Sequence, residues 1–383
     1  MMELLTQYPQ IAGAREYFQG RTEAILDLVT TICQIPAPGF QEKQRAEFVA
    51  DQMRGLGLVD VRVDDAYNAI GTLKGKGQGP TVMLAAHIDT VFPAGTNLTV
   101  RREGDKLHAP GIRDNSMGVT SLLALLQALK DLKIELPGDL ICVGTSGEEG
   151  LGDLRGMKAA VATFKDQLDY CIAIDGGLGG LVTGGITSRR LEVTVQTGGG
   201  HSWGAFGVPS AIHSMGKMIA AIADLTVPTT PRTTFNVGVI SGGTSINTIA
   251  AEAKMLIDMR SLQREPLMEL EGQVREIIDR VCVETKVNAE IKLVGDRPGG
   301  STSETHPLVQ TVQAVQSSLG ISTDTHASST DANVPMGYGI PAVCLGTSHG
   351  ANAHRVDEWL ETRDIDLGMT QLLMVVCAVE NLK

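Results

Sequence analysis

Acids and histidines recur at the ends of apolar runs in this chain. His87 and Asp89 close TVMLAAHIDT, Glu148 and Glu149 close DLICVGTSGEE, and Asp175 closes DYCIAIDGG. Runs of this length and composition read as buried strands. Residues two apart on a strand share a face, so His87 and Asp89 stand side by side where the strand leaves the core. A metal-ligating histidine usually gives its second ring N–H to an acceptor, often a carboxylate, and Asp89 is placed for that role. Taken alone, the pair reads equally well as a satisfied core histidine followed by a turn aspartate. Glu148 and Glu149 sit between Gly147 and Gly150. Two adjacent carboxylates in a glycine-bounded turn repel each other, and cations are the usual remedy. Asp114, in PGIRDNSMG, lies just before a long apolar helix with Asn115 and Ser116 as candidate caps. Its plain reading is a capping acid; its functional reading is a carboxylate able to bridge two cations. Of the loop histidines His326, His349 and His354, the last stands out. It precedes Asp357 and Glu358 at an expected helix start, beyond the end of the apolar strand PAVCLG.

The elements that must position these residues are legible in order. Thr22 to Ile35 and Glu42 to Leu56 repeat apolar residues at helical spacing, closed by Pro36 and by Gly57. Strands VDVRVD, NAIGTLKG and TVMLAAHID follow, then a loop and short hairpin to Pro110, a helix over 117–130, and the strand of DLICVG. Alternating strands and helices predict an α/β fold with a doubly wound, mainly parallel sheet. Ligands bind beyond the carboxyl ends of such strands, where His87, Asp89, Glu148, Glu149 and Asp175 would gather. After Gly180 the pattern becomes βαββαβ, the ferredoxin-like split unit. The expected division is therefore a first domain of 1–182 and 295–383, with 183–294 inserted as a smaller domain. A helix over 307–319 and a final helix complete the first domain.

Bulk properties exclude several functions. At 383 residues the chain exceeds one ordinary core. A formal charge of −12, with no Lys/Arg cluster, speaks against nucleic acid or an anionic membrane as partner. The N-terminal stretch does not read as a secretory signal, and LLALLQAL and LLMVVCAV are too short to span a bilayer. Six scattered cysteines read as buried free thiols, which leads to the expectation of a cytoplasmic protein.

HIDT, GIRDNSMG, GEEG, IDGG, GGHS and AHRVDEW, in this order around an inserted βαββαβ unit, resemble the dinuclear zinc exopeptidase family. That family includes peptidase T, carboxypeptidase G, aminoacylase and succinyl-diaminopimelate desuccinylase. The resemblance implies two divalent metal ions, Zn²⁺ with Co²⁺ or Mn²⁺ able to substitute. It assigns His87 and Asp175 to one ion, His354 and Glu149 to the other, and Asp114 to the bridge. It makes Glu148 the general base, Asp89 the residue orienting His87, and His201 of GGHS the lid residue that stabilises the tetrahedral intermediate. It gives Asn247 and Arg260 the substrate carboxylate, for which the Arg fork is suited. It further implies a homodimer formed through the lid.

Two positions depart from the family pattern: Ser116 where many relatives carry Lys, and Ala250 where Pro is common. Neither removes a ligand or the base. The expected activity is two-metal hydrolysis of a peptide or N-acyl amino acid bearing a free carboxylate, foremost as a peptidase T-like aminopeptidase (tripeptidase). Alternatives are an N-acyl-amino-acid deacylase or carboxypeptidase, and a peptide-binding protein that keeps the fold without catalysis. Nucleotide binding rests only on the GGLGG of 176–180, which lacks the helix such a loop requires.

Overall fold

The computed structural model describes residues 2–382. The chain divides into two units, one of Met1–Gly185 with Ser301–Lys383 and one of Ile186–Gly300. Among the described residues, no helix is long and apolar enough to cross a membrane.

The first unit is built on a nine-stranded sheet. Its centre is parallel: Leu140–Thr145, Val82–His87, Tyr170–Leu178 and Ala342–Gly346 lie side by side in that order. Antiparallel strands form the margins, with Ala69–Leu73 against Leu140–Thr145 and Gly180–Gly185 against Ala342–Gly346. Every residue of Val82–His87 and Leu140–Thr145 is buried, as expected of strands covered on both faces. Alternate residues of Val82–His87 feed opposite cores. Val82, Leu84 and Ala86 pack with helices Thr22–Cys33, Lys43–Leu56, Gly118–Asp131 and Ile365–Val379. Met83 and Ala85 pack with helix Arg155–Phe164. This is the doubly wound, mainly parallel arrangement the alternation predicts. The Lys43–Leu56 helix ends at Gly57, whose φ of 94° is the left-handed stop a glycine provides.

One expectation fails here. No helix begins after His354: Trp359–Glu361 is a strand, and the next helix is Ile365–Val379. The acids of RVDEW do not cap a helix. Glu358 instead turns inward and is fully buried.

The second unit is a four-stranded antiparallel sheet in the order Thr233–Gly242, Glu252–Ser261, Thr187–Gln196, Asn288–Arg297. Helices Ala211–Ala223 and Arg264–Thr285 complete βαββαβ. Leu191, Val193 and Val195 alternate inward with Met255, Ile257 and Met259 against Met215, Met218, Val274 and Ile278 of the helices. The last strand runs to Arg297, paired with Ser188, so this unit closes at Gly300. The edge strand Thr233–Gly242 leaves Val239 and Ile240 exposed.

Candidate metal centre

Three neighbouring parallel strands deliver the acids and one histidine at their carboxyl ends. His87 is the last residue of Val82–His87, and Glu148 and Glu149 follow Leu140–Thr145 by three and four residues. Asp175 arises differently from the expected strand end. Its strand continues to Leu178, but the ladder with Ala342–Gly346 breaks: Leu345 pairs with Ile174, while Gly346 pairs with Leu178. Asp175, Gly176 and Gly177 bulge out of register, which aims the carboxylate away from the ladder.

Asp114 lies at the middle of the group. Its Oδ1 stands 3.1 Å from His87 Nε2, and its Oδ2 stands 3.2 Å from His354 Nε2. Glu149 Oε1 is 2.7 Å from His354 Nε2, and Asp175 Oδ2 is 3.8 Å from His87 Nε2. One carboxylate therefore faces a histidine with each oxygen, and each histidine has a further acid at its side. Ligand atoms of His87, Asp114 and Glu149 all lie within 4.8 Å of one another.

Electrostatics agree with a site made for cations. Burial opposes a charge on His87, but Asp114, Asp175 and Asp89 together hold its affinity for a proton well above the ordinary value. Hydrogen bonds to Asp114 and Glu149 raise His354 to about 10. Burial and the Asp114 charge push Asp175 up to about 6. Protons on the histidines do what a metal would do, namely offset clustered carboxylates. Two imidazoles and three carboxylates converging in this way fit a pair of borderline divalent ions.

Backbone groups fix the cluster. His87 Nδ1 lies 3.1 Å from the Asp89 carbonyl oxygen, which leaves Nε2 to face the centre. The Asp89 carboxylate, 3.7 Å from the same nitrogen, has another task from the one expected: it accepts the backbone N–H groups of Glu148 and Glu149, both at 2.9 Å. Asp89 thus sets the turn that carries the two glutamates. Glu358 does the same for Asp114. Its carboxylate accepts the N–H groups of Gly111 (2.9 Å), Arg113 (2.8 Å) and Asp114 (2.9 Å). Burial, against these three bonds, raises Glu358 to about 7. Sequence reasoning missed this clamp, since its only signal was an acid four residues after His354. Asn115 is confirmed in a capping role, with Oδ1 accepting Gly118 N–H at 3.1 Å, while Ser116 donates back to the Gly111 carbonyl.

His201, Asn247 and Arg260 lie in the second unit. The ladder between Thr187–Gln196 and Glu252–Ser261 ends at Glu252, and beyond it the same two segments pair again as a short separate ribbon in which His201 pairs with Thr248 and Ser202 N–H donates to the Asn247 carbonyl. The exposed His201 accepts the N–H groups of Trp203 (3.2 Å) and Gly204 (3.3 Å) on Nδ1. Arg260 stands at the opposite end of the ladder, paired with Ser188, its Nε donating to Asp258 at 2.7 Å. Arg260 lies eight residue steps along the strand from Glu252, about 26 Å at the usual rise. The structure therefore brings His201 and Asn247 together and places Arg260 apart from both. Ala250, at the family's proline position, is buried and holds the ladder to the first helix through its carbonyl, which accepts Ala211 N–H at 2.9 Å.

A family model described as Peptidase family M20/M25/M40 matches residues 83–377. The chain belongs to this family. Its M20/M25/M40 membership makes it a metal-dependent hydrolase of the peptidase and amidohydrolase class, with a dinuclear centre. Among relatives, it is 24% identical to the Bacillus subtilis protein YqjE over 94% of this chain and 97% of that one. It is 26% identical to the succinyl-diaminopimelate desuccinylase of Corynebacterium glutamicum over 86% and 90%. A tripeptidase structure from Staphylococcus aureus shares its fold with a TM-score of 0.79 at 24% identity, covering 94% and 99% of the two chains. The structure of aminopeptidase PepT from Bacillus cereus superposes with a TM-score of 0.76 at 22% identity, covering 94% and 98%.

Proposed function

We propose that this M20/M25/M40 member hydrolyses the amide bond of small peptides as a tripeptidase-like aminopeptidase, with two Zn²⁺ ions bound by His87, Asp114 and Asp175 and by His354, Asp114 and Glu149. The observation that carries this reading is Asp114, which turns one oxygen to each histidine. The ions, when bound, supply polarisation of the scissile carbonyl and acidification of water. The remaining chemistry belongs to the chain. Glu148 is buried at the centre's edge, its backbone held by Asp89. As general base it removes a proton from the attacking water and returns it to the departing amine nitrogen. Its neighbour Glu149 faces His354 and is taken up in ligation. His201, exposed in the second unit, stabilises the developing oxyanion, and Arg260, aligned by Asp258, binds a carboxylate with its planar fork.

The separation within the second unit supports a homodimer. An extended tripeptide spans about 10 Å, far less than the distance from Arg260 to His201. Arg260 and His201 act on one substrate molecule only if they come from two copies. The edge strand Thr233–Gly242, with Val239 and Ile240 open to solvent, offers a surface for that pairing, and Trp203, Phe206 and Ile246 of the same unit are exposed as well. The six free cysteines, five of them buried, support a reducing cytoplasmic setting.

The desuccinylase relative sustains a second reading, an N-acyl-amino-acid deacylase. A panel of tripeptide, dipeptide, N-acetyl and N-succinyl amino acid separates them on Zn²⁺- and Co²⁺-loaded protein, with a chelator control. Release of the N-terminal residue from the tripeptide alone, lost on chelation, is the expected result. Cleavage confined to acylated amino acids would replace the aminopeptidase reading with the deacylase. An inert panel on protein holding two metals would refute both for these substrates.

A further inference from the structure

Arg113 precedes the bridging Asp114, and its function is assigned neither by the family pattern nor by the chemistry above. Its backbone is rigid, since Arg113 N–H donates to buried Glu358 at 2.8 Å. Its side chain is half-buried, and its Nε is buried with no hydrogen-bond partner among the described residues. A guanidinium left in that state is costly, because each buried N–H forfeits water without replacement.

The surroundings are shaped for it. A Cβ placed on Gly350 would stand 2.4 Å from the Trp359 carbonyl oxygen and 2.6 Å from Arg113 Cδ, so a side chain there would meet both the backbone and the arginine stem. Gly350 has no left-handed φ, and the close approach of the Trp359 backbone and the Arg113 stem accounts for the glycine. At the far end, an Nη atom of Arg113 lies 3.7 Å from where a Cβ of Gly177 would be. Gly177 belongs to the bulge that presents Asp175, and Asp175 feels the positive charge of Arg113. The guanidinium therefore ends beside the metal centre, on the Asp175 side.

Among the described residues, the carboxylates placed at the centre have tasks of their own, Glu148 as the base among them. Asp114, Glu149 and Asp175 are ligands by the reading above. Asp89 is taken by the N–H groups of Glu148 and Glu149, and Glu358 by those of Gly111, Arg113 and Asp114. A cation held near two dications is repelled unless an anion arrives between them. The anion that arrives at a catalytic centre is the substrate. An arginine offers it a rigid fork of parallel donors matched to a carboxylate.

We propose that Arg113 is a specificity-determining residue that binds a carboxylate carried by the substrate within a few bonds of the scissile carbonyl, on the Asp175 side. The preferred substrates then bear an acidic residue or a dicarboxylic acyl group at the cleaved bond. This rests on the hydrolase reading for its meaning, but binding alone decides it.

The test is calorimetric titration of metal-loaded protein with succinate and with acetate, in wild type, Arg113→Met and Arg113→Lys. Metal content is counted in each by emission spectroscopy. Wild type is expected to prefer succinate, and Arg113→Met to lose about 10–100-fold of that preference, the range of a charge-assisted bond. Arg113→Lys should keep part of it with both metals in place. An unchanged succinate-to-acetate ratio in Arg113→Met, or no preference in wild type, overturns the proposal. Loss of a metal ion from both variants also overturns it, since Arg113 would then be a brace for Asp175. If the hydrolysis panel is inert while the preference depends on Arg113, the aminopeptidase and deacylase readings fail for those substrates and the anion site stands. Cleavage without an Arg113-dependent preference sinks this proposal alone.

Discussion

At the scale of single residues, the centre separates two adjacent glutamates into two roles. Asp89 holds both backbone N–H groups at 2.9 Å, and successive side chains from that fixed turn diverge. Only one reaches His354, and that is Glu149. Replacing Glu148 by Gln keeps shape and removes the base. Turnover is expected to fall about 10²–10⁴-fold, with both metal ions retained on emission analysis. Loss of the ions together with activity would show that Glu148 is a ligand and not the base. The side chains that do this chemistry were legible in the sequence because acids at the ends of apolar strands are rare without a reason. The partner of each was less legible. Asp89 was expected to orient His87 with its carboxylate, whereas its carbonyl does so and the carboxylate serves the next loop. Spacing along a strand tells which residues share a face, not which of two acceptors on one residue is used.

At the scale of elements, the periodicity of the buried strands and of the helices around them was readable. The segments without periodicity were not. RVDEW looked like a helix start because acids cluster there, yet tertiary demand for an acceptor at Gly111, Arg113 and Asp114 draws Glu358 into the core instead. A similar buried acid closes the final helix. Glu380 follows Ile365–Val379, is fully buried and accepts Gly138 N–H through Oε2 at 2.9 Å, while Oε1 is buried without a partner among the described residues. Burial, with the nearby charges of Asp139 and Asp169, pushes it up to about 8. The folded chain then keeps this proton to higher pH than the unfolded chain does. Below about pH 4.5 the group is neutral in both states and contributes no difference. As pH rises from there to about 8, ionisation of the unfolded chain alone favours unfolding, by at most about 4 kcal/mol in total. Glu380→Gln is expected to match wild type in urea denaturation at pH 4.5 and to exceed it increasingly up to pH 8. A stability gap that does not grow with pH would exclude a buried neutral carboxyl.

At the scale of the whole molecule, the βαββαβ unit carries His201 and Asn247 at one end of its sheet and Arg260 at the other. Its order and pairing were visible as alternation, but the separation of residues 13 positions apart in sequence was not, because only the strand register reveals that they occupy opposite ends. Sedimentation is expected to show a dimer, and Val239→Lys with Ile240→Lys on the exposed edge to yield monomers of low activity. With His201 supplied by the partner copy, mixed dimers of Glu148→Gln and His201→Ala chains are expected to regain activity at one of their two centres. A fully active monomer would refute the pairing.

The path of the chain through the centre also sets the order in which it is made. His87, Asp114, Glu149 and Asp175 emerge from the ribosome before the inserted unit, while His354 and Glu358 emerge after it. The ligands proposed for one ion thus precede the inserted unit, and those for the other wait until it has been made. Until Glu358 arrives, the loop bearing Asp114 lacks the carboxylate that receives its three N–H groups. During synthesis the two proposed sites therefore have different histories: the residues of one are made before the inserted unit, and those of the other are joined only after it.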